Sequence, residues 1–213
     1  MTDMSSALEF GTGGKTFYHD DGSDTNKKQE AKVIMPNGEY PAHIVKTEYV
    51  RRDVKGRYKA LVYTVTVQLA KECQGMMLNA RTTDGKTIEI DAGKYVGFKI
   101  KSNGIFKFLH PNGDDSFEAN PSGNKKYASF CEAIGVDTPT IETEIDGKKV
   151  KVNEIPDINE SDMLGRPVKA VIKRGKPWTS STDGITRRPL QVQWFNTWED
   201  GSQIEIVEDD LPF

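Results

Sequence analysis

The chain has 213 residues, 36% hydrophobic and 29% charged, with 32 acidic against 29 basic side chains. No run of about 18 apolar residues is present to cross a membrane as a helix, and residues 1–10 lack the charged and apolar regions of a secretory leader. Two cysteines, Cys73 and Cys131, without CxxC spacing suit reduced thiols, so the expected setting is the cytoplasm.

The net charge of −3 conceals a segregation of sign. Residues 31–110 carry 14 basic and 7 acidic groups, and residues 165–198 carry 7 and 1. By contrast, residues 111–164 carry 5 and 12, and the last fifteen carry 0 and 6. The pattern is a basic body followed by an acidic tail.

Residues 1–30 hold Gly-Thr-Gly-Gly and Asp-Asp-Gly-Ser-Asp with few apolar positions, and read as a flexible arm. The run from Gly11 to Thr16 invites comparison with a phosphate-binding P-loop, but Glu9 stands where the first glycine must be. No strand precedes that run and no helix pattern follows it, so the arm is the better account. The domain is expected over 31–198, with the tail over 199–213.

From Val33 onward the pattern has period two. Leu61, Tyr63, Val65, Val67 and Leu69 alternate with Val62, Thr64, Thr66 and Gln68, which predicts a half-buried strand over 58–69. Further strands are expected at 40–50, 86–91, 95–101, 105–110, 167–173 and 190–198, with Ser102-Asn103-Gly104 as a hairpin turn. An Asp146-Gly147 turn would set Ile145 opposite Lys148, Glu144 opposite Lys149, Thr143 opposite Val150, Glu142 opposite Lys151 and Ile141 opposite Val152. One helix is expected, because Tyr127, Phe130, Cys131 and Ile134 fall at i, i+3, i+4 and i+7 before Gly135. Many short strands around one helix predict a mainly β fold, a compact barrel with extra hairpins.

Catalytic and metal chemistry find little support. His19, His43, His110, Cys73 and Cys131 form no local pair with ligand spacing, and no Gly-x-Ser-x-Gly elbow is present. Asp20-Asp21 and Asp114-Asp115 sit in Gly-rich stretches that read as solvated loops. The expectation is a protein that is not an enzyme and needs no metal or cofactor.

Cations interleaved with aromatics are the stronger signal. Lys173, Arg174, Lys176, Arg187 and Arg188 surround Trp178 between two strands, with Asp183 the one acid among them. Cations follow a phosphate backbone while a ring stacks on a base, each stack worth about 1 to 3 kcal/mol. The competing reading folds Trp178 back onto the barrel. Arg51, Arg52, Lys55, Arg57 and Lys59 form a second patch at a turn. A third patch alternates Lys99, Lys101 and Lys107 with Phe98, Ile100, Phe106 and Phe108, and is expected to show lysines outward and aromatics in the core. Trp194 and Trp198 are likewise expected in the core with Leu190 and Val192.

The chain closes with Asp209-Asp210-Leu211-Pro212-Phe213 after Glu205 and Glu208. This ending resembles the acidic tip of bacterial and bacteriophage single-stranded DNA-binding proteins. The stretches from Met35 to Val45 and from Gly56 to Val62 also look like the opening of phage members of that group with an OB-fold. The resemblance implies an OB-type barrel whose groove binds single-stranded DNA without sequence specificity during replication, recombination and repair. It further implies a tip, residues 209–213, that recruits a polymerase, helicase, primase or nuclease while competing for the groove. The long Gly/Pro/Gln-rich linker of bacterial members is missing, so tetramer formation does not carry over. Two rival readings stay open: a phage nuclease or recombination factor using a carboxylate-bound metal, and a virion or adaptor protein that binds no nucleic acid.

Overall fold

The computed structural model describes residues 33–110, 118, 120–145, 147–182, 184 and 186–206. The N-terminal arm with its Gly-rich run, His19, Asp114-Asp115, Asp146, Asp183 and the tip from Glu208 to Phe213 lie outside them. In chain order the strands are β1 (Val33–Ile34), β2 (Gly38–Val54), β3 (Tyr58–Leu69), β4 (Met77–Thr82), β5 (Thr87–Asp91), β6 (Lys99–Lys101) and β7 (Ile105–Phe108). Helix α1 (Lys125–Ala133) follows, then β8 (Thr140–Ile145), β9 (Lys148–Asn153) and the one-turn α2 (Glu160–Met163). The chain continues with β10 (Pro167–Arg174), β11 (Trp178–Thr179), β12 (Thr186–Arg187) and β13 (Leu190–Asn196). The fold is mainly β, as expected.

The principal sheet has the order β13-β10-β2-β3-β6, with β7 also pairing with β3, and every one of these ladders is antiparallel. It is not a closed barrel. Its two edges meet at one parallel bridge, Ser102 with Val192, where the Asn103 N–H donates to the Val192 carbonyl at 3.1 Å. Val65, Val67, Val168, Ala170, Ile172 and Val192 are buried on the inner side, as period-two alternation requires. Tyr127, Phe130 and Cys131 of α1 join the same core, and Gly135 ends the helix at φ 73°. Phe130 meets Phe195 of β13 edge to face, with ring centres 5.1 Å apart.

Strand β2 runs for 17 residues because a bulge absorbs a break in its alternation. Val45 has no partner between the pairs Ile44–Val67 and Lys46–Thr66, so Ile44 and Val45 are both buried. Beyond Glu48, β2 and the start of β3 project as an exposed ribbon turning at Lys55-Gly56, both at positive φ.

The β8–β9 hairpin has the expected register at all five pairs from Ile145–Lys148 to Ile141–Val152. The period-two pattern did not anticipate β4, whose inward positions are Leu78, Ala80 and Thr82; it joins β1 and β5 in a separate three-stranded sheet. The acidic segment does not leave the body at residue 199. Gly201 packs against Pro167 and Trp198, the Ile204 N–H donates to the Gly165 carbonyl at 3.0 Å, and the His43 Nε2 lies 3.0 Å from the Ser202 carbonyl oxygen. Gly165 is required there: its φ is 73°, and a Cβ would stand 1.8 Å from the Ile204 carbonyl oxygen. Among the described residues no helix is long and apolar enough to cross a membrane.

Candidate nucleic-acid interface

Cross-strand partners share a face, so the register of β3 decides which side chains meet. Ala60 pairs with Phe108 and Arg52, and Val62 pairs with Phe106 and Val50. Thr66 pairs with Lys101 and Lys46, and Gln68 with Lys99. Tyr63, by contrast, pairs with Ile105 and Leu61 with Lys107 on the core side. The outer face therefore carries Arg52, Phe106, Phe108, Lys99 and Lys101 together.

This reverses the expectation for β7. Phe106 and Phe108 lie half-buried on the outer face, their rings nearly parallel at 22° with centres 6.0 Å apart. Tyr58 meets Phe108 edge-on at 5.9 Å and 84°. Lys107 instead points inward and is 7% exposed. Its ammonium pairs with Asp157, donates to the Pro156 carbonyl at 3.2 Å and lies 5.4 Å from the centre of the Tyr127 ring. Lys107 is thereby withdrawn from the phosphate-contacting set, because a carbonyl and a π face hold its ammonium on the inner side and the exposed Asp157 carboxylate already pairs with it. Phe98 is 49% exposed and packs against Tyr95, outside the aromatic row.

Trp194 also departs from its expected place. In β13 the pairs Val171–Trp194 and Ile172–Val192 leave Gln193 unpaired, a second bulge. After it, Phe195 takes the inner position opposite Ala170, and Trp194 turns outward, half-buried. Trp198 is buried against His43 as expected.

Three adjoining depressions link these groups. The first is lined by Lys55, Tyr58, Phe106, Phe108, Gly123 and Lys126. The second shares Phe106 and Lys126 with it and adds Asn103, Gln193 and Trp194. The third shares Asn103 and Gln193 with the second and adds Lys173, Arg174, Lys176 and Trp178. A path with a ring at each stage thus runs from the β2–β3 ribbon to the β11–β12 loop.

The loop itself is a short ladder in which Trp178 pairs with Arg187. Trp178 is 51% exposed, and the Arg187 guanidinium lies 6.0 Å from its ring centre. The reading that folds Trp178 into the core is excluded. Arg188 is exposed, and its carbonyl accepts from the Arg174 guanidinium at 3.3 Å.

The remaining cations of the ribbon divide by parity. Arg51 and Lys59 lie on the Leu61 side, opposite Arg52. Arg57 is exposed, with Glu118 3.8 Å away. On the outer face Lys46 holds Glu48 at 2.7 Å, and this hydrogen bond and charge keep the Glu48 carboxyl below its ordinary range. Lys126 was missed in the sequence; it sits beside Lys125 in the first turn of α1, where the helix dipole is already positive. That placement weakens the helix slightly and strengthens the positive field over the rings.

Among the described residues no group of three His, Cys, Asp or Glu side chains is arranged to hold a metal ion. No family model, curated protein or solved structure matches the chain, so the face must be read from its own chemistry.

Proposed function

We propose that this chain binds single-stranded DNA without strong sequence dependence, along the path from Tyr58 to Trp178. The observation that carries the reading is the outward row of Tyr58, Phe108, Phe106, Trp194 and Trp178, bordered by Arg52, Lys55, Lys101, Lys126, Lys173 and Lys176. Outward rings are a poor use of aromatic area unless planar groups cover them, and bases spaced along a phosphate chain have the matching chemistry. Duplex DNA offers no free base faces to such a row.

An OB-type architecture is part of the proposal. The strand order, the parallel bridge between the sheet edges and the helix inserted between β7 and β10 all support it. The acidic stretch through Asp209 and Asp210, with Leu211, Pro212 and Phe213, is proposed to compete weakly for the cations and to recruit replication and repair proteins.

Titrating intrinsic tryptophan fluorescence with oligo-dT and with a duplex of equal length tests the reading. Quenching by oligo-dT, weak response to duplex, and a log–log salt slope of roughly −3 to −4 for about four to six neutralised phosphates are expected. Equal affinity for duplex, or a flat salt response, would overturn it.

A further inference from the structure

The middle depression has more chemistry than backbone tracking requires. Two half-buried rings from different strands, Phe106 and Trp194, line a recess of about 260 Å³. Gly104, also in its lining, takes a φ of 89°, a backbone conformation that L side chains rarely adopt.

Two exposed amides stand at its rim, and both are placed by the backbone. Asn103 is held by its N–H bond to the Val192 carbonyl at 3.1 Å, and Gln193 is the unpaired residue of the β13 bulge. The Asn103 Nδ2 donates to the Gln193 Oε1 at 3.5 Å, and the Gln193 Nε2 donates at the same distance to Gln191 Oε1. These are long bonds that a better partner displaces easily. Lys126 lines the same recess.

Aromatic walls, an amide rim and a neighbouring cation match a flat heterocycle with donors and acceptors on its edge and a phosphate beside it. Building on the single-strand reading, we propose that this recess receives one unstacked base of the bound strand and reads its edge through Asn103 and Gln193, favouring adenine. An amide presents one acceptor and one donor in the spacing of adenine N6 and N7, whereas the corresponding edge of thymine offers the O4 acceptor and a methyl group and no donor. The other rings stay indifferent to sequence, since every base has a π face.

The test uses the full chain and oligo-dT strands of one length carrying a single central dA, dG, dC or dT. The dA strand is expected to bind about fivefold or more tighter than the all-dT strand. In the double variant Asn103→Ala/Gln193→Ala the ratio of dA-strand to all-dT affinity falls to about one, while the melting temperature stays near the parent value because both side chains are exposed. Equal affinities for all four strands, or a dA gain that survives the double substitution, would overturn the inference and leave the single-strand reading intact. Failure to bind any of the strands would instead overturn that broader reading.

Discussion

Asn124 holds Phe108 by both ends of its backbone: its Oδ1 accepts the Phe108 N–H at 2.6 Å, and its Nδ2 donates to the Phe108 carbonyl at 3.0 Å. The side chain, in a residue 2% exposed, does the work of a neighbouring strand for β7. The preceding residue, Gly123, lies against the Phe108 ring; a Cβ there would stand 2.6 Å from Phe108 Cδ2. One end of the ring row is thus set by two adjacent residues that precede α1.

Asn124→Ala should lower stability by about 2 to 4 kcal/mol, since it leaves a donor and an acceptor of Phe108 unpaired. Denaturant unfolding measures this. Gly123→Ala should act differently, weakening oligo-dT binding several-fold through displacement of the ring with a smaller change in midpoint.

Trp178→Ala should weaken oligo-dT binding by about 1 to 3 kcal/mol and leave the melting temperature nearly unchanged, because the ring is exposed in the free protein. A large drop in melting temperature with unaltered affinity would show that the ring supports the fold.

Lys101 and Lys107 should separate cleanly. Lys101→Ala removes an outer-face cation and should reduce the magnitude of the salt slope by about 0.7 for one phosphate. Lys107→Ala should cost about 1 to 3 kcal/mol of stability through its lost bond to Pro156 and the space it leaves, with the salt slope unchanged. Its partner Asp157 has a side chain 95% exposed and is rehydrated, so no buried charge is stranded.

Burial pushes the thiols of Cys73 and Cys131 up to about 11. Native protein at pH 8 should resist alkylation at both, and unfolded protein should react. Because the folded state holds these protons more tightly than the unfolded state, their contribution to stability is complete below pH 9 and is lost as pH rises through about 11. The buried tyrosines Tyr40, Tyr63 and Tyr127, also shifted upward by burial, act in the same direction. A pH series of unfolding midpoints should therefore fall on the alkaline side.

Features that rest on local spacing were legible in the sequence. The β8–β9 register follows from a two-residue turn and matched charges, and α1 follows from its apolar stripe and glycine stop. The side to which a strand points its residues was not legible where tertiary pairing decides it. Ile105 and Lys107 share one face of β7 and Phe106 and Phe108 the other, and the pairing of Tyr63 with Ile105 tells which of them is inside. Two rings facing one lysine argued for aromatics inward; the carboxylate that settles Lys107 lies 50 residues away in sequence.

The bulges hid more. An unpaired residue leaves no mark in composition, so Val45 reads as one more apolar position and Gln193 as one more polar one. Counting past Gln193 without the bulge sends Trp194 inward and Phe195 outward, the opposite of what is found. A site built on that parity is invisible to periodicity, whereas the exposed Trp178, lying in a loop, could be singled out by its neighbours alone.

The bond between Ile204 and Gly165 makes the last of the described residues a mechanical joint. Gly165 donates its own N–H to the Ile44 carbonyl at 2.8 Å, and the Ile44 N–H returns a bond to Arg166 at 3.1 Å. Tension applied beyond Ile206 by anything that grips the acidic stretch is therefore delivered across two peptide links into β2, beside its bulge. The strand that carries Arg52 and borders the ring row is the one such a pull would load first.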